Sequence, residues 1–132
     1  MTNKELIEKA ATVINARKWG ESLVGDVGCA LLTGQDNIYT GVCIDTPSGT
    51  GFCAEAAAIG AMTTAGEAKI KKIVAVWKKG GESYVVSPCG RCRLFISQAD
   101  KSNLETEVVL GEDKSTPLKE LLPYYDWYQK VN

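Results

Sequence analysis

The sequence predicts an α/β fold, with helices covering both faces of a mixed sheet. Two observations carry that expectation. Along 132 residues, helical and strand patterns alternate in the order helix, two strands, helix, strand, helix, strand, helix. One strand pattern, Ile73-Val74-Ala75-Val76-Trp77, is continuously apolar, as a strand buried on both faces must be. The length fits one domain, 1–132, with enough chain for a sizeable core.

Residues 2 to about 18 read as the first helix. Thr2 and Glu5 make a capping box, and Leu6, Ala10 and Val13 recur on one face beside Ile7, Ala11 and Ile14. Residues 27–33 and 38–44 read as two strands, joined by the hairpin signal Gly34-Gln35-Asp36-Asn37. Cys29, in the first of them, reads as a small buried hydrophobe. Pro47 to Phe52 is a loop by composition. The helix from 53 to about 65 is apolar nearly all round and ends at Gly66, which places it in an interior. After the strand at 70–77, Lys78 to Ser83 forms a loop and Tyr84-Val85-Val86 leads to a new helix start. There Ser87 is the expected N-cap and Pro88 the first helical residue. Glu107 to Leu110 is the last strand, and Pro117 opens a short helix holding Leu118, Leu121 and Leu122.

Composition removes several function classes. The formal net charge is −1, so no charge excess calls for nucleic acid or an acidic membrane, and the lysines around 69–79 read as a solvated rim. No apolar run is long enough to span a bilayer and no signal peptide is evident. There is no histidine, which removes Ser-His-Asp triads, Cys-His hydrolases and His-ligated metals. Five cysteines is an odd number, and C-x-x-C spacing points to metal or redox work in a reduced, cytoplasmic protein.

The chemistry gathers in two short stretches, Cys53-Ala54-Glu55 and Pro88-Cys89-Gly90-Arg91-Cys92. C-x-E followed by P-C-x-x-C reads as a zinc site: Cys53, Cys89 and Cys92 as thiolate ligands, an open fourth position for water, and Glu55 as a carboxylate beside the metal. Bound water loses its proton near neutral pH rather than at about 15.7. At helix N-termini, partial positive charge lowers thiol pKa values.

These motifs resemble the cytidine deaminase family, in the short form that includes the blasticidin-S deaminases. Glu120-Leu121-Leu122-Pro123 is similar to the family's C-terminal E-L-L-P, so the resemblance spans nearly the whole chain. It implies a three-layer α/β/α sandwich with a mixed sheet of about five strands, a Zn2+ cofactor and a free cytosine-type nucleoside as substrate. The substrate would be cytidine or deoxycytidine, or a cytosine nucleoside antibiotic such as blasticidin S. Hydroxide would attack the carbon bearing the amine, C4, with Glu55 as proton shuttle. A homotetramer, or dimer of dimers, with sites completed across interfaces is also implied. On the substrate side it points to Asp45, Phe52 and Ala54, with an aromatic after E-L-L-P, best matched by Trp127, closing over the substrate.

Three departures stand out, the first being that the family's aromatic just before the first strand is missing, with Gly25 or Asp26 near its place. The family's Asn-x-Glu, which holds the ribose hydroxyls, is replaced by Cys43 and Asp45. The Arg that follows C-A-E in longer members is Ala56, so Arg91 (or Arg93) is expected to offset the negative charge of three thiolates by hydrogen-bonding a sulfur. Two other readings stay open: a C-x-x-C thiol–disulfide oxidoreductase, and a non-catalytic zinc module drawing a fourth ligand from Cys29 or Cys43.

Overall fold

The computed structural model describes residues 1–131. The chain begins with α1 (Asn3–Thr12), capped reciprocally by Thr2 and Glu5 as the sequence predicts. The helix stops six residues short of the expected 18, and a short strand β1 (Arg17–Trp19) follows. Gly20, at φ +61°, turns the chain back into β2 (Ser22–Thr33), against which β1 pairs. Asn15 N–H donates to Gly25 O, which ties the helix exit to this hairpin. Five residues earlier than predicted, β2 thus begins before its apolar run and carries a register shift between Val24 and Gly28.

The turn at 34–37 is the predicted hairpin, with Asp36 at φ 65°, and it leads into β3 (Ile38–Asp45). Then come α2 (Ala54–Thr64), β4 (Ile70–Lys79) and β5 (Glu82–Val86), the last folded back on β4. α3 (Gly90–Ala99), β6 (Glu107–Gly111), β7 (Lys114–Pro117) and the single turn α4 (Leu118–Leu121) complete the fold. The sheet has seven strands, in the order β1-β2-β4-β6-β7 with β3 beside β2 and β5 beside β4. Only β4 and β6 run parallel, so the sheet is mixed. The count exceeds the expected five through the edge strands β1 and β7, each of four residues or fewer.

Alternation along the strands sorts the core into two layers. Cys29, Leu31, Ile73 and Val108 face α2, α3 and α4, burying Ala54, Ala58, Met62, Ile96 and Leu118. Ala30, Val74, Val76 and Val109 face the other way, against Leu6 and Ala10 of α1. The three-layer arrangement is therefore as predicted. Contrary to its all-round apolarity, α2 buries one face only and leaves Gly60 and Ala61 exposed. Among the described residues no helix is long and apolar enough to cross a membrane.

The position of α2 depends on Gly41 of β3. A Cβ there would lie 2.6 Å from Ala57 Cβ and closer still to the Ala58 backbone nitrogen. Gly41→Ala is expected to destabilise the fold by about 1–3 kcal/mol, the usual cost of overpacking. Denaturant unfolding measures it, and an unchanged midpoint would mean that α2 is free to shift.

Candidate metal centre and substrate cleft

Two helix starts meet beside the sheet. Cys53 is the N-cap of α2 and Cys89 the N-cap of α3, both with extended backbone. The predicted cap at Ser87 is thus two residues early. Ser87 and Pro88 lie outside the helix, where Ser87 Oγ and Pro88 O accept hydrogen bonds from the Arg93 guanidinium. The shift leaves the pairing of cysteines intact, because an N-cap side chain and the residue three places on face each other across the first turn. Cys92 occupies that place in α3.

The three sulfurs of Cys53, Cys89 and Cys92 all lie within 4.8 Å of one another. With Zn–S bonds of about 2.3 Å, a tetrahedral shell spaces its sulfurs about 3.8 Å apart. Cys53 Sγ and Cys89 Sγ are separated by 3.8 Å. Neither other cysteine belongs to the group: Cys29 is wholly buried in the core, and Cys43 Sγ donates instead to Asp26 Oδ1 at 2.9 Å. The cluster therefore offers three protein ligands, the number of a catalytic zinc site rather than a closed structural one. It also draws Cys53 in beside Cys89 and Cys92, a donor set that suits zinc and that a dithiol redox pair does not require.

Electrostatics favours the same reading. Backbone N–H groups of Cys92 and Arg91 lower the Cys89 thiol, against some opposition from burial. Burial raises Cys53. Cys92 is pushed well up, first by burial and then by Glu55 and the neighbouring thiols. Three thiols and a carboxylate this close cannot all ionise on their own, and a divalent cation among the sulfurs removes that conflict.

Glu55, in the first turn of α2, is 6 % exposed. Burial raises its carboxyl above the usual carboxylate range. It lines a small internal pocket with Ala75, Val86 and Pro88, which shields it from bulk water.

An open cleft of about 360 Å³ reaches Cys53 from the solvent side. Asp26 and Val27 of β2, Cys43 to Asp45 of β3, Phe52 and Arg91 line it, with Gly49 and Gly51 from the intervening loop. Asp45, Phe52 and Arg91 thus line one cleft, but the expected arginine–sulfur hydrogen bond is not formed among the described residues: Arg93 donates to Pro88 O, Ser87 Oγ and Leu121 O, and Arg91 lines the cleft without a sulfur partner. Phe52 pairs through backbone hydrogen bonds with Ile44 and stays 38 % exposed. The loop glycines serve the chain itself: Gly51 passes against the Ile44 backbone, where a Cβ would clash, and Gly49 turns at φ +66°. The Ala54 side chain lies in the core, so only its backbone is left to meet a ligand.

Trp127 is elsewhere. It is 76 % exposed, stacks edge-on with Tyr128, and lines a separate cleft with Leu94 and Gln98 of α3. Within this chain it does not reach the cysteines. Asp26, noted in the sequence only as near the place of a missing aromatic, lines the cleft from within the register shift at Val24–Gly28.

The family model described as the cytidine and deoxycytidylate deaminase zinc-binding region matches residues 1–108. Among solved structures, the cytidine deaminase of Burkholderia pseudomallei aligns over 94% of this chain and 98% of its own, at 27% identity and TM-score 0.73. The cytidine deaminase of Bacillus anthracis aligns over 92% and 86%, at 24% identity and TM-score 0.71. That of Mycobacterium tuberculosis covers 94% and 93%, at 24% identity and TM-score 0.68. The last two speak to the fold.

Cys89→Ala is expected to weaken zinc binding by more than the roughly 10–100-fold lost with an outer partner, whereas Cys43→Ser keeps about one zinc per chain. Metal analysis of the purified proteins reads both. Zinc lost from Cys43→Ser would make Cys43 a fourth ligand and the site structural.

Proposed function

Because the chain belongs to the cytidine and deoxycytidylate deaminase zinc-binding family, we propose that this zinc-dependent deaminase hydrolyses the amine from a free cytosine-type nucleoside. The observation that carries the proposal is a buried Glu55 two residues from Cys53, next to a three-sulfur cluster at the end of an open cleft. Zinc held there supplies a Lewis-acidic position at which water gives up a proton near neutral pH.

Glu55 is the group that handles that proton. Its carboxylate accepts it from the attacking water, passes it to the ring nitrogen of the base, and then serves the departing amine, which leaves as ammonia. Burial suits the task, since it raises the carboxyl pKa and so helps Glu55 take up a proton. Phe52 offers a face for the base, and the Ala54 backbone lies beside it. Arg91, at the first turn of α3, offsets the excess negative charge of the thiolates. Cytidine, deoxycytidine and an antibiotic such as blasticidin S are the candidate substrates. The replacement of Asn-x-Glu by Cys43 and Asp45 favours a substrate other than plain cytidine. The family resemblance also supports a homotetramer, in which Trp127 serves a neighbouring chain.

Ammonia release from these three compounds, measured on wild type, Glu55→Gln and Arg91→Ala, tests the reading. Wild type is expected to deaminate at least one. Glu55→Gln should keep its zinc and lose activity by 100-fold or more, as removal of a general acid–base does. Arg91→Ala should bind zinc more weakly, and light scattering should give the mass of four chains. Zinc-loaded wild type that releases no ammonia from any cytosine compound would overturn the substrate class. Full activity in Glu55→Gln would overturn the shuttle.

A further inference from the structure

The part of the cleft built by β2 and β3 has an unusual polarity. Asp26 sits within the register shift of β2 and is half-buried. The Cys43 thiol, across on β3, donates to its Oδ1 at 2.9 Å. Burial, together with Asp26 itself, raises the Cys43 pKa, so the thiol keeps its proton and spends it on the carboxylate. The sulfur is then left without a free donor, and Asp26 lines the cleft beside it with one carboxylate oxygen not used by Cys43. Asp45 stands two residues beyond Cys43 on the same strand and lines the same cleft. Thr46 Oγ1 is engaged with Gly51 N–H and Thr50 Oγ1. Every side-chain polar group of this wall is therefore an acceptor or already committed. Among the described lining residues the cation is Arg91, which belongs to the metal end of the cleft.

We propose that Asp26, held in place by Cys43, is a specificity-determining residue of this site. It accepts hydrogen bonds from donor groups, hydroxyl or amine, on the part of the substrate away from the base. With Asp45 it turns away a phosphate at that position. Asp26 makes the contact, and Cys43 is a positioning residue that orients it. The inference rests on the deaminase reading for its choice of probes. A carboxylate that would accept strongly from a hydroxyl or ammonium meets a phosphate as a like charge.

The test uses the zinc-loaded protein with three probes that differ only at the 5′ position: 5′-amino-5′-deoxycytidine, cytidine and cytidine 5′-monophosphate. In wild type, kcat/KM for the amine is expected to equal or exceed that for cytidine, with the monophosphate lower by about 100-fold or more, the scale of a lost charged hydrogen bond plus a repulsion. Asp26→Asn, with zinc content unchanged, should narrow this spread tenfold or more, chiefly through KM. Cys43→Ala should narrow it likewise. Cys43→Ser keeps a donor for Asp26 and should restore the wild-type order. A flat order in wild type, full discrimination in Asp26→Asn, or Cys43→Ser no better than Cys43→Ala would each overturn the inference. Calorimetric binding of 5′-amino-5′-deoxyuridine, uridine and uridine 5′-monophosphate reads the same order without turnover. If no cytosine compound is deaminated, the proposed function falls while this binding order still decides the inference, and its absence overturns it.

Discussion

Three thiols and a carboxylate repel one another once ionised, and this chain sets them together, with Cys92 and Glu55 buried, Cys53 partly buried and Cys89 exposed. The Glu55 carboxylate raises the cost of ionising both Cys53 and Cys92. Two features offset that cost. Cys53 and Cys89 sit at helix N-caps, where unpaired backbone N–H groups supply partial positive charge. The geometry of the sulfurs then matches what one tetrahedral divalent ion demands. Much of the fold serves this convergence. Gly41 lets α2 lie close on β3, which fixes Cys53 and Glu55, and the β4–β5 hairpin returns the chain so that α3 begins against α2.

The cleft divides its work between a dry end and a wet one. Behind the cleft, Glu55, the proposed proton-handling group, lines a separate small pocket with Ala75, Val86 and Pro88. At the outer end β2 and β3 present carboxylates that remain partly solvated. On the proposed reading the deaminase chemistry belongs to the first end, which keeps the family's motifs. On the same reading substrate choice belongs to the second, where Cys43 and Asp45 depart from them. A fold can hold its reaction constant while its substrate changes, because these two sets of residues come from different elements.

The sequence exposes the reaction end of this protein better than the recognition end, for physical reasons. Cysteine and glutamate at C-x-E and P-C-x-x-C spacing have few alternative explanations, and local helix geometry alone brings Cys89 and Cys92 together. The core strands carry long apolar runs, so β2, β3, β4 and β6 are legible, as are the capping box of α1 and the stop at Gly66. The end of α1 was hidden because its apolar spacing continues to Ile14, while the hydrogen bond from Asn15 to Gly25 ends it from outside. β1 and β7 are too short to show a period. The slip from Ser87 to Cys89 at the cap of α3 arises because Ser and Pro satisfy the usual preferences while Cys does not. Asp26 lies within a register shift and Trp127 in a tail with no periodic pattern, so neither side chain's place is written in local sequence.

X-ray absorption at the zinc edge of the purified, zinc-loaded protein tests the central claim most directly. A catalytic three-thiolate centre predicts three sulfurs at about 2.3 Å and one oxygen at about 2.0 Å. Four sulfurs, with Cys29 or Cys43 recruited to the metal, would contradict it and make the site a structural one.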